Sequence, residues 1–117
     1  MKIYRGIRYD GYNGWRGKVF VDEKPLAMRT DLLELSNAFE WGYGGSGPSQ
    51  LALAILADHF QNQPDGDERA IALHYKFERE VIKKLPRPEW KLTSEEVERA
   101  IETIQSREDD SWLFPPK

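Results

Sequence analysis

The chain contains no cysteine among its 117 residues, which excludes a disulfide framework, a thiolate metal site and a cysteine nucleophile. Long apolar runs are also missing. The longest, Leu51 to Ala57, is far shorter than the roughly 20 residues that a membrane-spanning helix needs. Basic side chains interrupt the residues before Tyr9, so this stretch does not resemble a signal sequence. We therefore expect a cytoplasmic protein that does not contact a membrane.

The net charge is small, at −3, but it is unevenly distributed. Residues 1–20 carry five basic side chains and one acidic one, whereas residues 93–111 carry seven acidic side chains and two basic ones. Such a chain can orient itself against a charged partner. Its length allows one hydrophobic core without metals or disulfides, so we expect a single domain over residues 1–117.

Alternating apolar residues predict two strands, over residues 2–9 and 15–21, joined by a hairpin loop that contains Asp-Gly and Asn-Gly. In the first strand Ile3, Ile7 and Tyr9 share one side. A short third strand that begins near Pro25 completes a meander. The aromatic residues of Phe39 to Tyr43 favour a fourth short strand.

Three helices are predicted to follow. The first begins at Pro48, after a cap at Ser46 or Gly47, and runs to about Gln61. It is apolar on nearly every side, which indicates packing on more than one face. The sequence thus predicts an α+β fold, a small antiparallel sheet of three or four strands with an N-terminal meander, packed with three helices.

Capping-box spacings mark the starts of the other two helices. Asp65 with Glu68 begins a helix that runs to Leu85, and Thr93 with Glu96 begins a helix whose apolar face extends to Ile104. The outer surface of this last helix is acidic. Residues 107–117 are predicted to be irregular, with Trp112 to Pro116 folded back on the core or available to a second chain.

The Gly-rich turn, Gly42 to Pro48, is the most specific local feature. Exposed glycine amides at a helix N-terminus can hold an anion, which gives a candidate site for a nucleotide or phosphate ligand. Its residues are Trp41, Tyr43, Gly44, Gly45, Ser46 and Gly47. The turn lacks the Lys-Ser/Thr ending of a P-loop and is not part of a predicted dinucleotide-binding βαβ unit. In the alternative interpretation, the glycines only allow a tight turn into a buried helix.

Two charged regions are candidate partner sites. Arg5, Arg8, Arg16 and Lys18 alternate with aromatic residues in the predicted hairpin, a combination that stacks on bases and neutralises phosphates. Glu108, Asp109 and Asp110 follow the acidic third helix. They could mimic nucleic-acid phosphates and occupy a basic site on another protein. In each case the alternative is an ordinary solvated surface.

Support for catalysis is weak. His74 and Glu78 are four residues apart on the second helix and could share a metal with His59, but a histidine that hydrogen-bonds at the edge of the core explains the pattern better. Ser46 lacks the frame of a nucleophile elbow. We expect no catalytic residue, no metal site and no cofactor.

The segment from Phe39 to Leu56, FEWGYGGSGPSQLALAIL, resembles a family of short proteins of unknown function from bacteria, archaea, plasmids and phages. The resemblance extends to Tyr4–Arg8, to Tyr75 and Phe77, and to Trp90–Leu92. It implies a shared architecture and a mobile-element setting, and no functional residue. By analogy with small phage proteins, the first hypothesis is a non-enzymatic binding protein that inhibits a host defence factor. A nucleotide-binding or nucleic-acid-binding protein is the alternative.

Overall fold

The computed structural model describes the backbone of residues 1–11 and 14–113, and the side chains of residues 1–8 and 17–107. Two long strands, β1 (Ile3–Gly11) and β2 (Gly14–Val21), come first and are followed by the two-residue β3 (Lys24–Pro25). The remaining elements are α1 (Ser46–His59), α2 (Gly66–Glu80), a short 3-10 helix (Ile82–Lys84), β4 (Glu89–Thr93) and α3 (Ser94–Leu113). The predicted α+β fold is confirmed.

All four strands form one antiparallel sheet in the order β3-β2-β1-β4. The first three make the predicted meander. β3 is shorter than expected because the chain turns inward after Pro25, where Leu26 enters the core. The fourth strand, β4, pairs with β1 along the opposite edge, with Arg5 opposite Lys91 and Ile7 opposite Glu89.

One face of the sheet is buried and the other is exposed, as alternation along a strand requires. Tyr4, Gly6, Val19 and Trp90 lie on the buried face. Ile3, which shares its side of β1 with Ile7, is 42% exposed. The apolar residues that indicated strand β1 thus lie mainly on its outer face. Tyr4 fills the core in their place.

The core is centred on α1, as its apolar sequence indicates. Every residue from Leu51 to Ala57 is fully buried. The sheet lies on one side, where the Tyr4 hydroxyl donates to Asp58 at 2.7 Å, and α2 packs along another. Helix α3 contacts α2 and β4. Glu98 of α3 also contacts His59 of α1, at 2.5 Å.

The predicted strand from Phe39 to Tyr43 is wrong, because residues 39–45 are irregular and the fourth strand is β4. Trp41 is fully buried and packs edge-on against Trp90 with ring centroids 5.7 Å apart. Phe39 is also buried. The aromatic composition of the segment therefore reflects burial in the core and not strand pairing.

The helix boundaries differ from the prediction in three places. Helix α1 begins at Ser46, so Pro48 is its third residue, and it ends at His59. Helix α2 ends at Glu80 and is continued by the 3-10 helix. Asp65 precedes α2, but its side chain makes no capping hydrogen bond to the described residues.

The capping box of α3 is confirmed. The amide of Glu96 donates to Thr93 Oγ1 at 3.1 Å, and the amide of Thr93 donates to Glu96 Oε1 at 3.0 Å. The helix continues to Leu113, so the prediction that residues 107–113 are irregular is wrong. An ion pair supports this extension, since Arg107 contacts Glu80 of α2 at 2.7 Å. Residues 114–116 of the expected docking segment lie outside the described part of the chain.

Candidate functional site

The outer face of the sheet gathers basic and apolar side chains on three adjacent strands. We call it the outer sheet face, and its described members are Ile3, Arg5, Ile7, Lys18, Phe20, Glu89 and Lys91. In the register, Arg5 lies between Phe20 and Lys91, and Ile7 lies between Lys18 and Glu89. Lys18, Glu89 and Lys91 are exposed, whereas Arg5, Ile7 and Phe20 are half-buried.

Arg5 and Phe20 form the centre of this face. The guanidinium carbon of Arg5 lies 5.9 Å from the centroid of the Phe20 ring, within cation–π range. Arg5 Nε has no hydrogen-bond acceptor among the described residues. The face thus combines positive charge with an aromatic ring and an aliphatic side chain, the groups that recognise phosphates and bases.

Arg8 of the predicted basic site does not belong to this face. Its side chain is 7% exposed and forms an ion pair with Glu40 at 2.6 Å on the inner side of the sheet. It also donates to the carbonyl oxygens of Trp41 and Arg87, each at 3.2 Å, and its guanidinium lies 4.8 Å from the Trp41 ring. Arg8 therefore has a structural role, which is to hold the 39–42 segment against the sheet.

Arg16 is placed on β2 opposite Tyr9, and its side chain lies outside the described residues. The same holds for Glu108, Asp109 and Asp110, whose backbone belongs to α3. Two members of the predicted basic site, Arg5 and Lys18, therefore lie together on the outer sheet face. Lys91 adds a third basic side chain that the sequence reasoning missed.

Several residues of the Gly-rich turn have a structural role. Gly42 has a φ of 84°, and its amide donates to the carbonyl of Ile82 at 3.0 Å. A Cβ atom at Gly42 would approach the Arg87 side chain to 2.8 Å, and one at Gly47 would approach Glu40 to 2.8 Å. These close approaches explain the two glycines without a ligand.

The N-terminus of α1 already has an anionic partner. Glu78 of α2 is nearly fully buried, and its Oε1 accepts hydrogen bonds from the amide of Gly45 at 3.3 Å and from the Ser49 hydroxyl at 2.8 Å. This carboxylate satisfies the positive end of the helix dipole. The Gly45 amide and the Ser49 hydroxyl, two donors that could bind an incoming phosphate, are thereby engaged within the protein.

The aromatic members of the predicted ligand site are separated. Trp41 is fully buried, and its Nε1 donates to the Arg87 carbonyl at 2.9 Å. Tyr43 is 39% exposed, with the Arg87 guanidinium 5.6 Å from its ring. Gly44 and Ser46 are exposed. Of the two proposed stacking residues, only Tyr43 is therefore accessible.

Comparison with models of protein families gives a match over residues 4–103, to a family described as being of unknown function, DUF6166. The chain belongs to this family. The match begins in β1 and ends within α3, so it spans all four strands and both fully described helices of the core. Searches of curated proteins and of solved structures found no match. The predicted membership in a family of unknown function is confirmed.

In this member of DUF6166, the two histidines and Glu78, which were considered above as possible metal ligands, have separate partners. His59 contacts Glu98, and His74 Nδ1 donates to the Ile71 carbonyl at 2.6 Å. Within the described residues no group of three or more His, Asp or Glu side chains is arranged to hold a metal ion. In the same part of the chain, no helix is long and apolar enough to span a membrane.

Two residues carried only weak signals in the sequence, one that belongs to the outer sheet face and one that orders a loop. Lys91 lies in β4, which the alternation of Trp90, Lys91 and Leu92 could have indicated. Gln50 precedes the apolar run of α1 and is fully buried. Its side chain makes four hydrogen bonds to the backbone of residues 28–36, which fixes that loop against the helix. A lone amide beside seven apolar residues is the signal for such a role.

Proposed function

We propose that the protein is a non-enzymatic binding protein that holds single-stranded nucleic acid on its outer sheet face. The observation that carries this proposal is the placement of Arg5, Lys18 and Lys91 on three adjacent strands, around Ile7 and Phe20. Adjacent strands lie about 4.8 Å apart, so the three basic residues extend across a band about 10 Å wide. A nucleic-acid backbone can contact a band of this width.

A single strand fits this surface better than a duplex. The bases of a single strand are free to stack on a protein side chain, and Phe20 offers a ring on the outer sheet face. Arg5 and Lys91 lie opposite each other on β1 and β4 and can neutralise phosphates on one side of that ring. Binding of this kind tolerates many base sequences.

The acidic helix favours approach from the sheet side. Glu95, Glu98 and Glu102 are exposed and lie at helical spacing along α3, which packs on β4 and α2 in the helix layer. Like charges repel there, whereas the outer sheet face attracts an anionic strand. The small negative net charge of the chain is therefore compatible with binding on one face.

Binding can be tested by fluorescence anisotropy with labelled single-stranded DNA and RNA oligonucleotides. We expect binding at low ionic strength, and we expect Arg5→Gln and Lys91→Gln each to weaken it. Each variant should also reduce the slope of log affinity against log salt by about 0.7, the value for one lost phosphate contact on a single strand.

Lys83→Gln is the matched control, because Lys83 is an exposed lysine on the 3-10 helix, away from the sheet. It should leave affinity and salt slope close to those of the wild type. Absence of binding at low salt, or an equal loss in all three variants, would contradict the proposal.

The acidic stripe of α3 supports a second candidate function, the inhibition of a host factor whose own site is basic. Glu95 and Glu102 are exposed on the same side of the helix, with Glu98 beside them and the exposed Arg99 between them. A Glu95→Lys/Glu102→Lys variant should then lose a complex that wild-type protein forms with one nucleic-acid-binding protein of the host. Retention of that complex by the variant would reject this candidate.

A further inference from the structure

The edge of β2 is unpaired beyond β3. β3 pairs with Phe20 and Val21, and the amide of Leu26 then donates to the carbonyl of Val19 at 3.0 Å. Gly17, two residues further along this edge, lies opposite Arg8, whose amide is directed to the other side of β1 and donates to Pro88 at 2.9 Å. In an antiparallel ladder this geometry directs the amide and carbonyl of Gly17 away from β1. Within the described residues, neither group has a hydrogen-bond partner there.

A cleft of about 710 Å³ lies beside this edge. One wall is formed by β2 and the other by residues 37–40, and its volume is within the roughly 300–1,000 Å³ of typical ligand sites. Val19, Leu26 and Phe39 are buried apolar residues that line it. The cleft thus places the unpaired backbone groups of Gly17 beside an apolar floor formed by these three side chains, in a lining that also includes Lys18, Asn37 and Glu40.

We propose that this cleft binds an extended peptide segment of a partner protein, which joins the sheet as a strand next to β2. Backbone groups of the peptide would bond the amide and carbonyl of Gly17, and every second side chain would pack on the apolar floor. The glycine at this position is explained by the Trp41 ring, which a Cβ atom would approach to 2.6 Å, so only the backbone groups of Gly17 support a bound peptide. This site goes beyond the proposed nucleic-acid function, since it uses the edge of the sheet and not its outer face.

The geometry favours a peptide over other occupants. A purely apolar ligand would leave the backbone groups of Gly17 without partners, at a cost that a peptide avoids. A second copy of the folded chain would have to bring a whole sheet into a space bounded on its far side by residues 37–40. A single extended chain needs only the width of one strand, about 4.8 Å.

The test uses a phage-displayed library of random dodecapeptides, selected on the intact protein. We expect enriched peptides that alternate apolar and polar residues. Synthetic copies should bind the wild type, and the NMR signals of the Gly17 and Val19 amides should shift on binding. Ala38→Trp should weaken binding by at least about tenfold, because Ala38 is exposed and lines the cleft, where a large side chain would occupy the space.

Ala27→Trp is the control, since Ala27 is also exposed but does not line this cleft, and it should bind like the wild type. If Ala38→Trp does not fold, Asn37→Trp replaces it, because Asn37 is an exposed residue of the same wall. The proposal is overturned if no peptide is enriched, if the filled variants bind equally well, or if the Gly17 amide does not respond. Self-association that the filled variant abolishes would assign the cleft to a second copy and would also overturn it.

Discussion

Arg8 is a cation inside the protein, and its neighbours explain why it is stable there. Its guanidinium has a carboxylate partner in Glu40, two carbonyl acceptors and an aromatic ring within contact distance. A buried charge with such partners is tolerated, whereas a partner left alone is costly.

Arg8→Gln should therefore lower the free energy of unfolding by about 3 kcal/mol, because it leaves Glu40 partly buried without a cation. Chemical denaturation measures this loss. Lys91→Gln removes the same charge from an exposed position and should change the free energy of unfolding by less than about 0.5 kcal/mol. Equal losses in the free energy of unfolding of the two variants would show that the buried contacts of Arg8 do not stabilise the fold. Adding Glu40→Gln to Arg8→Gln should recover part of the lost stability.

Tyr4 provides a pH-dependent test at the same scale. Burial, and after it the hydrogen bond to Asp58, raise the pKa of the Tyr4 hydroxyl well above its ordinary value. The folded state therefore keeps a proton that the unfolded state loses above about pH 10. The stabilisation is complete below that pH and is lost as the pH rises towards the folded-state pKa.

We expect the free energy of unfolding to fall by up to about 1.4 kcal/mol per pH unit above about pH 10 because of this group. Tyr4→Phe removes the titrating hydroxyl, so its free energy of unfolding should depend less steeply on pH in that range. Urea denaturation of both proteins at several alkaline pH values measures the difference. The same slope in both would contradict the assignment.

At the scale of elements, Gln50 joins α1 to the irregular segment that precedes it. Its Oε1 accepts from the amides of Leu35 and Ser36, and its Nε2 donates to the carbonyls of Met28 and Leu33. The side chain is fully buried and all of these backbone groups depend on it. Residues 28–36 therefore follow a defined path although they form no regular secondary structure.

Gln50→Leu preserves size but leaves these backbone groups unsatisfied, so it should lower the free energy of unfolding by about 3 kcal/mol or more. Gln61→Leu, at an exposed turn position, should change it by less than about 0.5 kcal/mol. Thermal or chemical unfolding compares the two. If Gln50→Leu is as stable as the control, the loop is held by its apolar contacts and not by the amide.

Elements with strong local signals could be predicted from the sequence, and those that depend on distant contacts could not. The capping box of Thr93 and Glu96 and the apolar run of α1 are local, and both were found. The strand β4 depends on pairing with β1, over eighty residues earlier in the chain. Trp41 gave a false strand signal because its environment, Gly17 and Trp90, is assembled only in the folded state.

The candidate site also combines residues that local sequence indicates with residues that only distant contacts bring together. Arg5 and Lys18 could be placed in a basic hairpin from the sequence, but the strand register decides which basic residues share a face. Arg8 falls on the inner side by alternation with Arg5 and Ile7, and Lys91 joins the face only through β4. The Glu78 carboxylate at the start of α1 could not be anticipated either, since it requires α1 and α2 to be packed together.

In the molecule as a whole, basic residues outnumber acidic ones on the outer sheet face, whereas acidic residues outnumber basic ones among the exposed, described residues of α3. The described basic residues of the outer sheet face and the exposed acidic residues of α3 belong to different layers of the fold. We therefore expect an anionic strand to be attracted to the outer sheet face and repelled by α3. Under the proposed function, the outer sheet face is the side that binds this strand.

NMR mapping of the nitrogen-15-labelled protein, during titration with an unlabelled single-stranded oligonucleotide at low salt, locates the binding face directly. We expect added salt to reverse the amide shifts, and we expect the largest shifts on Arg5, Ile7, Lys18, Phe20 and Lys91. Shifts confined to Gly42–Pro48 or to α3, or no shifts at all, would contradict the proposed function.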